Sequence, residues 1–251
     1  MGCAPDTFLG AGLQTCRQLI DEGAIGRPVA ALALMMGRGP ESWHTSPQFY
    51  YQPGGGPLFD MGPYYLTAMI NLFGPVARVA GLAQKHFAER LITSQPLAGT
   101  KVPVEVPTHY TGALEFANGV GATVVMSFDT WPGPALPCIA VYGTEGTLEV
   151  PDPNWFDGTV RLFKPGAKVA QEVPLTHAAG RSRGTGVADL AYAILRPGRE
   201  HRANGALANH VVEVMEAFEQ SSITERHIRI SSTCAQPAML PAGLAPNVLD
   251  D

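Results

Sequence analysis

Between residues 76 and 164 the chain carries six short runs rich in β-branched and aromatic residues: VARVAGLAQKHF, HYTGALEF, GATVVMSFDTW, PCIAVYG, GTLEVP and VRLFK. Turn pairs separate several of them, namely Asn118-Gly119, Glu145-Gly146 and Asp157-Gly158. Asn-Gly between two alternating runs is a strong hairpin signal, because both central residues of the favoured turn need positive φ. With no helical pattern between the strands, this stretch reads as an antiparallel meander and excludes a succession of βαβ units.

The flanks read differently. From residue 8 to 22 the apolar side chains Leu9, Leu13, Cys16, Leu19 and Ile20 recur at helical spacing, and Gly23 and Gly26 stop the pattern. Pro28 leads into the strand-like PVAALALMM, and a polar and aromatic loop follows over residues 37–56. A second helix is expected over Pro57–Phe73, opened by a proline whose φ is already helical and closed by Gly74-Pro75. GVADLAYAIL and ALANHVVEVMEAFEQS read as late helices, the latter with Leu207, Val211, Val214, Met215 and Phe218 on one face. The fold class is α+β, with residues 1–235 as one domain and residues 236–251 as an irregular, proline-broken tail.

Composition narrows the function. Over 251 residues, 45% are hydrophobic and 16% charged, which suits a globular core. A net charge of −5 with scattered basic residues offers nothing to nucleic acid or to an anionic membrane surface. No apolar run approaches the roughly 20 residues of a membrane helix, and MGCAPDTF has no basic leader region. Cys3, Cys16, Cys138 and Cys234 lack paired spacing, so free thiols in a reducing cytoplasm are expected, with neither zinc nor a disulfide framework. No His/Asp/Glu cluster has metal spacing, and no G-x-S-x-G marks an acyl-transfer nucleophile. Gly10-Ala-Gly12 and Gly184-Thr-Gly186 each begin like G-x-G-x-x-G but continue to Thr15 and Asp189, with no preceding strand. A dinucleotide site needs strand, tight turn and helix N-terminus together, so this chain alone is expected to bind neither NAD nor NADP.

The segment GGGPLFDMGPYYLTAMINLFG carries the best candidate chemistry. Glycines enter a helix whose first turns bear Asp60 and Tyr64, four residues apart and therefore on one face. A carboxylate and a phenol there can converge on one substrate hydroxyl as base and proton donor or acceptor. The same pattern also fits a carboxylate complementing the helix N-terminus beside a packed tyrosine.

This segment resembles the motif of the second domain in the glucose–fructose oxidoreductase, inositol dehydrogenase and rhizopine-catabolism (Gfo/Idh/MocA) family, D-x-x-x-H or D-x-x-x-Y after a glycine turn. RQLIDEGAIGRPVAA, THYTGALEFANGVGATVVMSF, AVYGTEGTLEV and HRANGALANHVVEVMEAFEQSS resemble further family segments in the same order. The resemblance implies a large open, mainly antiparallel sheet with helices packed on one face, substrate contacts and an oligomer interface. The apolar runs GATVVMSF and ALALMM, with few elements to cover both faces, lead to the expectation of a homodimer or tetramer formed sheet to sheet. It implies Asp60 and Tyr64 as catalytic residues acting on a sugar or polyol. Trp43, His44 and Tyr51 in the preceding loop, with Asp6 and Arg183, would be substrate contacts; the loop aromatics equally fit a loop packed on itself. His109 reads as structural. The family's nucleotide domain, with the lysine of its Glu-Lys-Pro motif, has no counterpart in this sequence, so NAD or NADP enters only if such a domain is supplied. Three readings stand: the substrate-binding and oligomerisation half of an NAD(P)-dependent oxidoreductase, truncated or naturally separate; an inactive binding or scaffold subunit; and an enzyme using Asp60 and Tyr64 for redox-free proton transfer beside a carbonyl.

Overall fold

The computed structural model describes residues 1–131, 133, 136–246 and 248–250. A short 3-10 turn, Thr7–Leu9, leads into helix α1 (Ala11–Asp21), and strand β1 (Pro28–Met36) follows. Helix α2 (Pro57–Phe73) comes next, then β2 (Val76–Gln84), β3 (Glu89–Leu91), β4 (Lys101–Pro103), β5 (His109–Phe116) and β6 (Gly121–Ser127). Strands β7 (Ile139–Gly143), β8 (Thr147–Val150), β9 (Val160–Phe163) and β10 (Gln171–Val173) precede helices α3 (Thr185–Leu195) and α4 (Gly205–Thr224) and a short β11 (Ile228–Arg229).

Nine strands form one sheet in the order β10-β9-β8-β7-β1-β6-β5-β2-β11. The expected meander is present as two pieces, and β1 is inserted between them. It runs parallel to β6 and antiparallel to β7; the other neighbours pair antiparallel. The near-continuous apolar run of β1 suits that central place, where both edges are paired. The Asn118-Gly119 turn closes the β5–β6 hairpin, with Gly119 at φ 88.

Helices α1, α2 and α4 cover one face of the sheet. The predicted stripe of α4 is the buried one: Leu207, Val211, Val214, Met215 and Phe218 all sit in the core. Phe218 reaches the sheet because β2 and β5 have glycines under it; a Cβ at Gly112 would stand 2.5 Å from the Phe218 ring and one at Gly81 2.7 Å. Among the described residues no helix packs on the opposite face. There Ala30, Leu32, Leu34 and Met36 of β1 line up with Thr123 and Val125 of β6 and Thr111 and Ala113 of β5, with Leu82 and Tyr142 exposed beside them.

Strands β3 and β4 carry no signal in the sequence and form a separate hairpin. Buried Arg90 anchors it. Its Nε and Nη2 donate to Glu41, its Nη1 to Asp129 at 2.8 Å, and its Nη2 also to the Phe128 carbonyl. The hairpin thereby fastens the 37–56 loop to the end of β6. Residues 237–246 and 248–250 hold no helix or strand, yet Leu240 and Leu249 are buried and Asp250 pairs with Arg199 and Arg202 beside buried Asp189. Asn247 and Asp251 of that tail lie outside the described residues.

Candidate active site

Glycine sets the entry to α2. Gly56 has φ 89, and a Cβ there would stand 2.7 Å from the Pro107 carbonyl, so neither its backbone angle nor its surroundings admit a side chain. Its N–H donates to the Tyr50 carbonyl at 2.7 Å, and its own carbonyl accepts the Asp60 N–H at 3.0 Å. Asp60 therefore lies in the first turn, with Tyr64 one turn further on. Pro63 between them has no N–H, which leaves the Phe59 carbonyl without its helical donor, yet the helix continues to Phe73.

Asp60 and Tyr64 share a helix face but border different cavities. Asp60 lines one of about 330 Å³ walled by Phe49, Tyr50, Phe59 and the 52–55 turn. Tyr64 lines a second of about 330 Å³ with Asp6, Arg183, Val187 and Leu190. The two groups expected to converge on one substrate hydroxyl thus line separate cavities, and Phe49 and Tyr50 of the loop wall the one beside Asp60. Burial pushes the Tyr50 hydroxyl above its ordinary pKa, and the charges of Asp60 and then Tyr64 push the same way, so the three oxygens act on one another. Burial also raises Asp60, and the neighbouring His44 partly counters it. Asp60 is thus a half-buried carboxyl held above its ordinary range, with His44 and Tyr50 as its ionisable neighbours.

The loop aromatics divide. Trp43, His44, Phe49 and Tyr50 pack edge to face or stacked on one another, with ring centroids 4.1–6.5 Å apart. His44 is held from outside as well, since the buried Ser94 hydroxyl donates to its carbonyl at 2.5 Å. Trp43 stays 65% exposed. Tyr51 is a correction: it is fully buried, its hydroxyl donates to Glu41, and its ring lies under Phe128 and Arg90. The neighbouring Tyr50 takes the place beside Asp60 that the sequence reading gave to Tyr51. In a Phe-Tyr-Tyr run inside the 3-10 turn Pro47–Tyr51, consecutive side chains point to different sides, and no pattern in the sequence selects between the two tyrosines.

Asp6 and Arg183 meet Tyr64 from the other side. Asp6 accepts the N–H groups of Gly184 (3.0 Å) and Gly186 (2.9 Å), so its first role is to cap α3. Arg183 donates through Nη1 to the Tyr64 hydroxyl at 3.4 Å, lies over the Tyr64 ring at 5.6 Å, and donates through Nη2 to the Asn154 side chain at 2.8 Å. Asn154 is a further candidate that the sequence reading missed. His109 behaves as a structural histidine, its Nδ1 2.8 Å from the Ser127 hydroxyl.

Neither glycine stretch fits the phosphates of a dinucleotide. The Gly184 and Gly186 N–H groups that a phosphate would need are occupied by Asp6. Gly10 packs against the Phe156 backbone so closely that a Cβ would come within 2.0 Å, and the Gly12 N–H donates to the Phe156 carbonyl. Among the described residues no group of three or more His, Cys, Asp or Glu could hold a metal, and no helix is long and apolar enough to cross a membrane.

An open nine-stranded sheet backed by helices, with a cleft at the start of α2, defines an α+β domain. The sequence profile described as the GFO/IDH/MocA C-terminal domain matches residues 13–149, and this chain belongs to that family. Among solved structures, an NAD-binding oxidoreductase from Klebsiella pneumoniae aligns at 18% identity and TM-score 0.71, over 91% of this chain and 65% of that one. Levoglucosan dehydrogenase in complex with NADH and L-sorbose aligns at 21% and 0.67, over 90% and 64%. Aldose-aldose oxidoreductase from Caulobacter crescentus complexed with glycerol aligns at 21% and 0.65, over 89% and 62%. At these identities the likeness is one of fold. The chain spans less than two thirds of the length of these proteins. No curated protein matches it.

Proposed function

We propose that this chain is the substrate-binding and oligomerisation half of an NAD(P)-dependent oxidoreductase acting on sugars or polyols, the dinucleotide being held by a separate nucleotide-binding domain. The observation that carries the reading is the cluster at the start of α2. Asp60, raised by burial, stands within electrostatic reach of Tyr50 and His44, and Tyr64 is hydrogen-bonded to Arg183. In this reading Asp60 accepts the proton of a substrate hydroxyl that Tyr50 orients in the cavity they share, and Tyr64, backed by Arg183, binds a further hydroxyl of the same ligand from the neighbouring cavity. Trp43 and His44 form the outer wall, and Asp6 borders the cleft through the helix it caps. The solved structures of levoglucosan dehydrogenase with NADH and L-sorbose, and of aldose-aldose oxidoreductase with glycerol, support the substrate and cofactor classes.

The apolar face of the sheet supports self-association. Leu32, Leu34, Val125 and Leu82, on a face where no helix packs among the described residues, are what a second copy would cover, as a homodimer or tetramer. Four free cysteines suit a reducing cytoplasm. The test is calorimetric titration of the chain with glucose, sorbitol, myo-inositol and glycerol. Saturable binding that Asp60→Asn weakens at least tenfold is expected; no binding of any of the four at millimolar concentration would overturn the reading.

A further inference from the structure

Arg183 stands where two cavities meet. The inner one, of about 330 Å³, holds Tyr64; the outer one, of about 550 Å³, is lined by Asp152, Asn154, Trp155, Asp157 and Arg183. Tyr64 and Asn154 bond to the same guanidinium, so Arg183 is a wall of both spaces. Both volumes lie in the range of small-ligand sites.

The outer cavity is walled by a shaped loop. The Asn154 N–H donates to the Asp152 carboxylate at 2.9 Å, and the Trp155 N–H to the Asp152 carbonyl at 3.1 Å. Phe156 is buried, and its backbone is pressed against Gly10 and Gly12 at the start of α1. Gly158, at φ 130, folds back onto Pro151. The loop thus buries Phe156 and leaves its neighbour Trp155 64% exposed at the cavity wall. A flat indole beside an amide, two carboxylates and a guanidinium is the chemistry that holds a sugar ring: the carbon face lies on the aromatic and the hydroxyls bond the rim.

We propose that the outer cavity is a second sugar-ring subsite, with Trp155 as its platform and Arg183 as the shared wall, so that the preferred ligand is a disaccharide or glycoside. This rests on the sugar-binding reading of the Tyr64 site and deepens it. A ring bound at Tyr64 extends its glycosidic substituent past Arg183 onto Trp155.

The test compares glucose with maltose, cellobiose and lactose by calorimetry on the wild-type chain and on Trp155→Ala and Trp155→Phe. At least one disaccharide is expected to bind about tenfold more tightly than glucose. Trp155→Ala should reduce that ratio to about one, and Trp155→Phe, which keeps an aromatic face, should retain most of it. All three thermal midpoints should agree, because the ring is exposed. Disaccharides no tighter than glucose, or a ratio that survives Trp155→Ala, would overturn the proposal while leaving the inner site standing. Failure of all four sugars to bind would remove the inner site and this subsite together.

Discussion

Arg183 donates through Nη1 to the Tyr64 hydroxyl at 3.4 Å across 119 positions of sequence, and its guanidinium covers the Tyr64 ring. The only basic side chain touching the phenol therefore comes, among the described contacts, from the loop before α3. Arg183→Met is expected to weaken sugar binding about tenfold, equivalent to about 1.4 kcal/mol, with an unchanged thermal midpoint because the guanidinium is exposed. Binding equal to wild type by calorimetry would remove Arg183 from the site.

Two neighbouring tyrosines should behave in opposite ways. Tyr51→Phe leaves the buried Glu41 carboxylate without its phenol donor and is expected to cost about 1–3 kcal/mol, lowering the melting temperature by several degrees with little effect on ligand affinity. Tyr50→Phe and Tyr64→Phe should leave the melting temperature within about 2 °C and weaken binding. Calorimetric scans and titrations of the three variants decide it, and a stability loss confined to Tyr64→Phe would reverse the assignment.

The sequence made the sheet, the α2 boundaries and the α4 stripe readable because each rests on a local signal: turn pairs, a proline-to-glycine frame and a helical period. Asp60 and Tyr64 were readable as an i, i+4 pair for the same reason. What escaped was non-local. The β3–β4 hairpin exists because Arg90 finds Glu41 and Asp129 at distances of 49 and 39 residues, and no period records that. The exchange of Tyr50 for Tyr51 follows from the same network, which draws Tyr51 inward. The insertion of β1 beside β6 likewise depends on a long-range pairing.

Burial lowers the pKa of His109, His177 and His210 below the ordinary 6.5. His210 is buried and accepts the Val76 N–H at Nε2, so a proton there would break that bond. Below pH 6.5 the unfolded chain takes up protons that the folded chain resists, so stability falls as pH drops from 6.5 toward the lowered folded values. Urea midpoints should decrease between pH 7.5 and 5.5, and His210→Gln should shrink the decrease. A midpoint that stays flat or rises over that interval would contradict this.

If a second copy covers the open sheet face, one charge at its centre should prevent it. Thr123 sits there between Leu32 and Ala113 and is exposed. Thr123→Arg is expected to convert a dimer or tetramer into a monomer by light scattering at micromolar concentration without lowering helical content. A wild-type monomer would contradict the assembly.

The central claim is that a sugar or polyol binds at the start of α2. The most direct measurement is amide chemical-shift mapping of the isotope-labelled chain titrated with sorbitol and glucose. The account predicts saturable shifts concentrated at residues 44, 50, 55–56, 58–62, 64 and 183–186, abolished in the Asp60→Asn, Tyr64→Phe double variant. Shifts confined to the open sheet face or to the β3–β4 hairpin, or no shifts at saturating sugar, would contradict it.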